Sequence, residues 1–230
     1  MAQQDFAQIY KSEVRGVTAT ENFKRWTTFN FEEYQEVSRK PFGALRVFNE
    51  EVLAPNQRMK INVASGMQLL VLPLFGGVDY TDNLGNKQFI RVEQIGAVLA
   101  QQAMTIELCN SYEKEQVSYL QIWLSGDVTV SKSSYTEFNF GFTQKNSLIS
   151  IFESSIATGF IGIYDGRKEG IYTLKNPSNG AFVFVINGAF EVENRLLESK
   201  DGLRLQGIPT VAWEALSNDA VLLIFEISLI

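Results

Sequence analysis

Short segments that alternate apolar and polar residues, each closed by a turn signal, recur along this 230-residue chain. Alternation with period two is the mark of a strand with one face buried. Met67 to Phe75, Val78 to Thr81, Lys87 to Val92, Gly96 to Ala100, Met104 to Leu108 and Val117 to Leu124 read this way. So do Ala44 to Phe48, Thr136 to Thr143, Ser147 to Glu153, Ile156 to Tyr164, Gly170 to Leu174, Ala181 to Asn187, Ala189 to Glu193 and Val221 to Ile227. Between them stand Gly76-Gly77, Asp82-Asn83-Leu84-Gly85-Asn86, Asp165-Gly166 and Asn187-Gly188, residues that tolerate the positive φ of tight turns. Seventeen phenylalanines fit the same picture, since aromatic side chains suit pleated, half-buried surfaces. Many short strands at even spacing predict a sandwich or barrel. Only Glu32 to Val37 and Arg195 to Leu203 suggest a turn of helix. The polar stretch from Gly126 to Ser134 is the candidate linker, which divides the chain into residues 1–125 and 126–230.

The chain contains no histidine. Histidine is the commonest transition-metal ligand and general base near neutral pH, so triads, Cys-His dyads and His-ligated metals are excluded. Cys109 is the only cysteine, so no intramolecular disulfide forms. With 26 acidic and 20 basic residues the formal net charge is −6, which argues against direct nucleic-acid binding and against an anionic membrane surface. Residues 1–11 lack the apolar core of a signal peptide, and no apolar run reaches membrane-spanning length, so the expected compartment is the cytoplasm.

Three runs carry a family resemblance. Trp26-Thr-Thr-Phe29-Asn-Phe31 is followed by Ala44-Leu-Arg-Val-Phe-Asn-Glu-Glu51. Met67-Gln-Leu-Leu leads to Gly76 and the turn Asp82-Asn-Leu-Gly-Asn86. Leu120-Gln-Ile-Trp-Leu124 closes the first half. Their order and spacing over about 125 residues resemble the pirin-like bicupin family. The second half carries only generic bicupin features, such as Val183 to Glu193. The resemblance implies an all-β fold of two tandem cupin (jelly-roll) barrels. It also implies a divalent metal in the N-terminal barrel, held by an H-x-H pair, a later His and a Glu, and in some members quercetin 2,3-dioxygenase activity.

Anchored on Met67, the H-x-H pair falls on Asn62 and Ala64, the third His on or beside Thr105, and the Glu on Glu107. Gln68 replaces the acidic residue that usually follows the Met. One carboxylate with an amide and a hydroxyl is a poor donor set for a transition metal, so no metal and no cofactor are expected. Asn62, Ala64, Gln68, Thr105 and Glu107 are then expected to line a pocket that accepts a small apolar or aromatic molecule, and a protein partner is equally open. Two functions stay in view: a non-enzymatic binding or regulatory protein, and an oxidoreductase of the quercetinase type or a metal-free enzyme using Glu107 as a base. Cys109 reads as a small buried residue rather than a nucleophile, and Asp79, Asp82, Asn83 and Asn86 as a hairpin tip rather than a calcium loop. Arg46 is expected to form an interior ion pair, and Trp26, Trp123 and Trp213 to serve the core.

Overall fold

The computed structural model describes residues 6–126 and 132–229. β1 (Phe6–Tyr10) and a 3-10 turn at Ser12–Val14 precede β2 (Gly16–Ala19), β3 (Phe23–Thr27) and a second 3-10 turn at Val37–Arg39. Then come β4 (Leu45–Leu53), β5 (Arg58–Val63), β6 (Met67–Phe75), β7 (Gly77–Asp82), β8 (Lys87–Arg91), β9 (Gln94–Ala100), β10 (Met104–Cys109), β11 (Val117–Ser125) and β12 (Ser134–Asn139). The rest of the chain forms β13 (Ile149–Glu153), β14 (Ala157–Tyr164), β15 (Glu169–Thr173), β16 (Gly180–Asn187), β17 (Ala189–Val192), β18 (Arg195–Glu198), β19 (Gly202–Gln206), β20 (Thr210–Ala215) and β21 (Ala220–Ile227). No α-helix occurs among the described residues.

These strands build two compact units. The first barrel comprises residues 16–41 and 45–139, with a seven-stranded sheet ordered β12-β9-β6-β11-β4-β3-β2 and a four-stranded sheet ordered β5-β10-β7-β8. Its core includes Val47, Val71, Val98, Ile106, Tyr119 and Trp123, drawn from both sheets. The second barrel comprises described residues 6–15, 42–44 and 140–229, with sheets ordered β1-β19-β16-β21-β14-β13 and β15-β20-β17-β18. Val183, Phe190, Leu203, Val211, Leu222 and Ile224 are among its core residues. The architecture is all-β with two cupin barrels, as the alternation and the resemblance imply.

The units are not contiguous in sequence, unlike a division at residue 126. β1 pairs with β19 along its whole length, so the strand nearest the start of the sequence completes a sheet of the second barrel. Lys11 Nζ donates to Asp201 Oδ2 at 2.6 Å, and Ser12 N to Asp201 Oδ1 at 2.7 Å, which fixes that strand's exit. β12 pairs with β9 and belongs to the first barrel, so the chain changes unit between Asn139 and Phe140. The expected linker lies in large part outside the described residues.

The two expected helical turns are otherwise resolved. Arg195 to Leu203 forms β18 and the start of β19, because Leu197 and Leu203 alternate into the core while Leu196 stays exposed. At Glu32 to Val37 the chain makes a turn closed by the antiparallel Phe31–Tyr34 bridge, and the 3-10 turn Val37–Arg39 follows.

Candidate functional site

β5 and β10 pair in register, with Thr105 opposite Asn62, Ile106 opposite Ile61 and Glu107 opposite Lys60. Successive side chains of a strand point to opposite faces. Ile61, Val63, Met104, Ile106 and Leu108 are buried and point into the core. Asn62 and Thr105 are therefore on the outer face, where Thr105 Oγ1 donates to Asn62 Oδ1 at 3.1 Å, and both are exposed. Ala64 is exposed just past the end of β5. Glu107 lies on the same outer face and accepts an ion pair from Arg58 at 3.2 Å, not in a dry pocket.

Gln68 is not brought to this group. It is buried on β6 opposite Leu124 and Leu99, on the face away from the core residues Leu69 and Val71. The pocket expected from Asn62, Ala64, Gln68, Thr105 and Glu107 does not form: four of them sit on the barrel's outside and the fifth on another sheet. On β5 the alternation of side chains puts Ile61 and Val63 inward, which leaves Asn62 on the opposite face.

Cys109 continues the outer row, opposite Arg58 and Asp79. It is half-buried rather than a core residue. Partial burial pushes its thiol pKa up, against the pull of Arg58 and with the help of Asp79 and Glu107. The hairpin tip is closed by protein donors. Asp82 Oδ1 accepts from the backbone N–H of Leu84 (2.9 Å) and Asn86 (3.0 Å), and Oδ2 from Tyr80 Oη (2.8 Å) and Asn86 Nδ2 (2.7 Å). Among the described residues no group of three or more Cys, Asp or Glu is placed to hold a metal ion.

The inward face of the opposite sheet carries polar chemistry that the alternation did not single out. On β3, β4 and β11, cross-strand partners place Arg25 beside Glu51, Tyr119 beside Glu51, Thr27 beside Asn49, and Gln121 beside Asn49. Arg25 Nε donates to Glu51 Oε1 at 2.6 Å, Tyr119 Oη donates to Glu51 Oε2 at 2.7 Å, and Arg25 Nη1 reaches Glu32 at 2.6 Å. The Arg25 guanidinium also lies 5.0 Å from the Phe23 ring centre and 4.9 Å from that of Phe31. Burial raises the Glu51 pKa, an effect that Arg25 and Tyr119 only partly offset. Arg46 is exposed, so the interior ion pair of β4 is made by Glu51 with Arg25 instead. The available signal was polar residues at alternate, otherwise apolar positions: Val47-Asn49-Glu51-Leu53 and Val117-Tyr119-Gln121-Trp123.

Next to this stripe, a pocket of about 260 Å³ opens beside β5. It is lined by Arg25, Phe31, Met59, Ile61, Gln121 and Trp123, with Glu32, Lys60 and Asn62 at its lip. A larger hollow of about 560 Å³ lies against the four-stranded sheet of the second barrel, where Glu169, Glu191, Glu193 and Glu214 gather. Of these carboxylates Glu214 pairs with Arg167 at 3.1 Å, and Glu193 accepts from the Ala212 N–H at 2.7 Å.

Comparison with known proteins agrees with this architecture. A family model described as the quercetinase C-terminal cupin domain matches residues 158–227, in the half where the sequence showed only generic features. Quercetin 2,3-dioxygenase of Escherichia coli K12 is 26% identical over 124 residues, 54% of this chain and 54% of the relative, so the match spans about half that protein's length. A Pseudomonas aeruginosa protein assigned provisionally to the same activity is 25% identical over 212 residues, 85% of this chain and 89% of its own. The bacterial pirin YhhW of Escherichia coli, solved in complex with nickel(II), superposes with a TM-score of 0.88 at 19% identity, covering 98% of this chain and 100% of that one. The two cupin barrels, the family match in the second and the relatives spanning both support a pirin-like bicupin.

Proposed function

We propose that this chain is a metal-free member of the quercetin 2,3-dioxygenase-like pirins that binds a small molecule in its first barrel and does not catalyse oxygenation. The observation that carries the reading is the inward face of the β5–β10 pair, which presents Ile61, Val63, Met104, Ile106 and Leu108. An H-x-H pair occupies alternate positions on one strand face. Here one such face is aliphatic and the other is Asn62 and Ala64, on the outside. Transition ions need imidazole, thiolate or several carboxylates, and neither face offers such a set, so the residues present do not fit the family's metal. Glu107 is held by Arg58 on the outer face, which gives a metal-free acid–base reaction no enclosed place to occur. The polar stripe and its pocket supply a binding cavity.

Elemental analysis of protein purified without chelator, with oxygen uptake measured on quercetin, tests the reading. The expected result is no stoichiometric transition metal and no uptake above a protein-free control. Stoichiometric iron, nickel, copper or zinc would overturn it, as would turnover, including uptake abolished by Glu107→Gln.

A further inference from the structure

Two donors that line the 260 Å³ pocket have no partner among the described residues: Gln121 Nε2 and Trp123 Nε1. Gln121 is 1% exposed and Trp123 is 9% exposed. A buried N–H without an acceptor costs roughly 1–3 kcal/mol, so such atoms commonly mark a site whose acceptor arrives with a ligand. Gln121 meets Asn49 through a long 3.5 Å contact, Asn49 Nδ2 donating to Gln121 Oε1. In this orientation Gln121 Nε2 and Asn49 Oδ1 are the two amide atoms left over.

The remaining lining defines the occupant. Phe31 and Trp123 stand 6.1 Å apart between ring centres, tilted by 58°, and Met59 and Ile61 add apolar walls. This suits a planar ring. Arg25 is already taken up by Glu51 and Glu32, so the pocket does not call for an anion. Gln121 and Trp123 are two apart on one strand face, roughly 6–7 Å between Cα atoms, and both line the same pocket. The volume, at the small end for ligand sites, holds one ring with a short substituent.

We propose that the first barrel binds a neutral single-ring aromatic carbonyl compound, its oxygen accepting hydrogen bonds from Gln121 Nε2 and Trp123 Nε1. This rests on the reading of that barrel as a binding cavity.

Three probes of nearly equal shape test it: acetophenone, ethylbenzene, which lacks the acceptor, and benzoate, which adds a charge. They are titrated into the full 15N-labelled chain while the indole N–H signals of Trp26, Trp123 and Trp213 are followed, with Trp123→Phe giving the assignment. Acetophenone is expected to move the Trp123 signal saturably and to bind roughly tenfold or more tighter than ethylbenzene. Gln121→Leu is expected to shrink that preference by about threefold or more. No saturable shift, equal binding of ethylbenzene, or tighter binding of benzoate overturns the proposal. Metal analysis of the same samples keeps the two ideas apart. Bound metal with a retained acetophenone shift sinks only the metal-free reading, whereas metal-free protein with no shift sinks only this one.

Discussion

Arg25 and Glu51 face each other inside the first barrel at 2.6 Å, with side-chain exposures of 6% and 0%. Two charges so far from water persist only because each satisfies the other and Tyr119 and Glu32 take up further hydrogen-bonding capacity. Arg25→Met leaves Glu51 buried without its cation and is expected to cost about 3–5 kcal/mol in urea unfolding. The double variant Arg25→Met/Glu51→Leu removes both charges and is expected to recover most of that loss. Equal destabilisation by the single and the double variant would show that packing, not charge, dominates.

Glu226, 2% exposed, ties the loop after β15 to β21. Tyr172 Oη donates to Oε2 at 2.5 Å and Lys175 N at 2.8 Å, while Asn176 N (3.0 Å) and Asn179 Nδ2 (2.7 Å) donate to Oε1. Burial alone pushes this carboxyl up, but these donors outweigh it and its pKa is lowered. A lowered folded-state value means stability that is fully present above the unfolded pKa and is lost as pH falls through the folded one. Glu226→Gln is expected to lose about 1–3 kcal/mol at pH 7 and to show a flatter acid limb than the parent when unfolding is measured from pH 7 down to pH 3. A parallel pair of curves would refute the assignment.

Gly43 approaches Ser228 within the second barrel. Its φ is +54°, and a Cβ placed there would sit within contact of the Ser228 carbonyl oxygen. The neighbouring Ala44 N–H donates to that same oxygen at 2.8 Å. Gly43→Ala therefore meets both left-handed backbone strain and a clash with a carbonyl that cannot be moved without breaking the bond. The expected loss is more than about 1 kcal/mol in thermal unfolding. An unchanged melting temperature would contradict this geometry.

The Cys109 thiol, raised by burial and by Asp79 and Glu107, is expected to react with a disulfide reagent more slowly at pH 8 than a free cysteine. Arg58→Ala removes the one group that lowers its pKa and is expected to slow it further, whereas Asp79→Asn is expected to speed it. A rate unmoved by either change would mean that access, not the thiolate fraction, limits the reaction.

The sequence made much of the fold legible because alternation and turn chemistry are local. Met67–Phe75 was bounded to the residue, and the Asp82–Asn86 tip lies where Asn and Gly marked it. Strands such as β5 and β20 were missed although they pair with β10 and β15, about 40 residues away, and the short β18, paired with the adjacent β17, was read as a turn of helix. The partner of β1 is likewise non-local, so its sheet could not be read from spacing. The site failed for a sharper reason. Which face of β5 looks inward is settled by Ile61 and Val63 packing into the core, and placing motifs by distance from Met67 carries no information about facing. The interior stripe could have been found by asking why Asn49, Glu51 and Gln121 stand at positions where alternation calls for apolar residues.

The pairing of β1 with β19 also orders events during synthesis. The residues of β1 leave the ribosome well before their hydrogen-bonding partners in β19, which follow about 200 residues later. Until then the strand is an unpaired edge that could join the wrong neighbour, while the intervening first barrel can already close. Assembly of the second barrel thus waits on a late, long-range closure of the kind that makes β-rich chains slow folders.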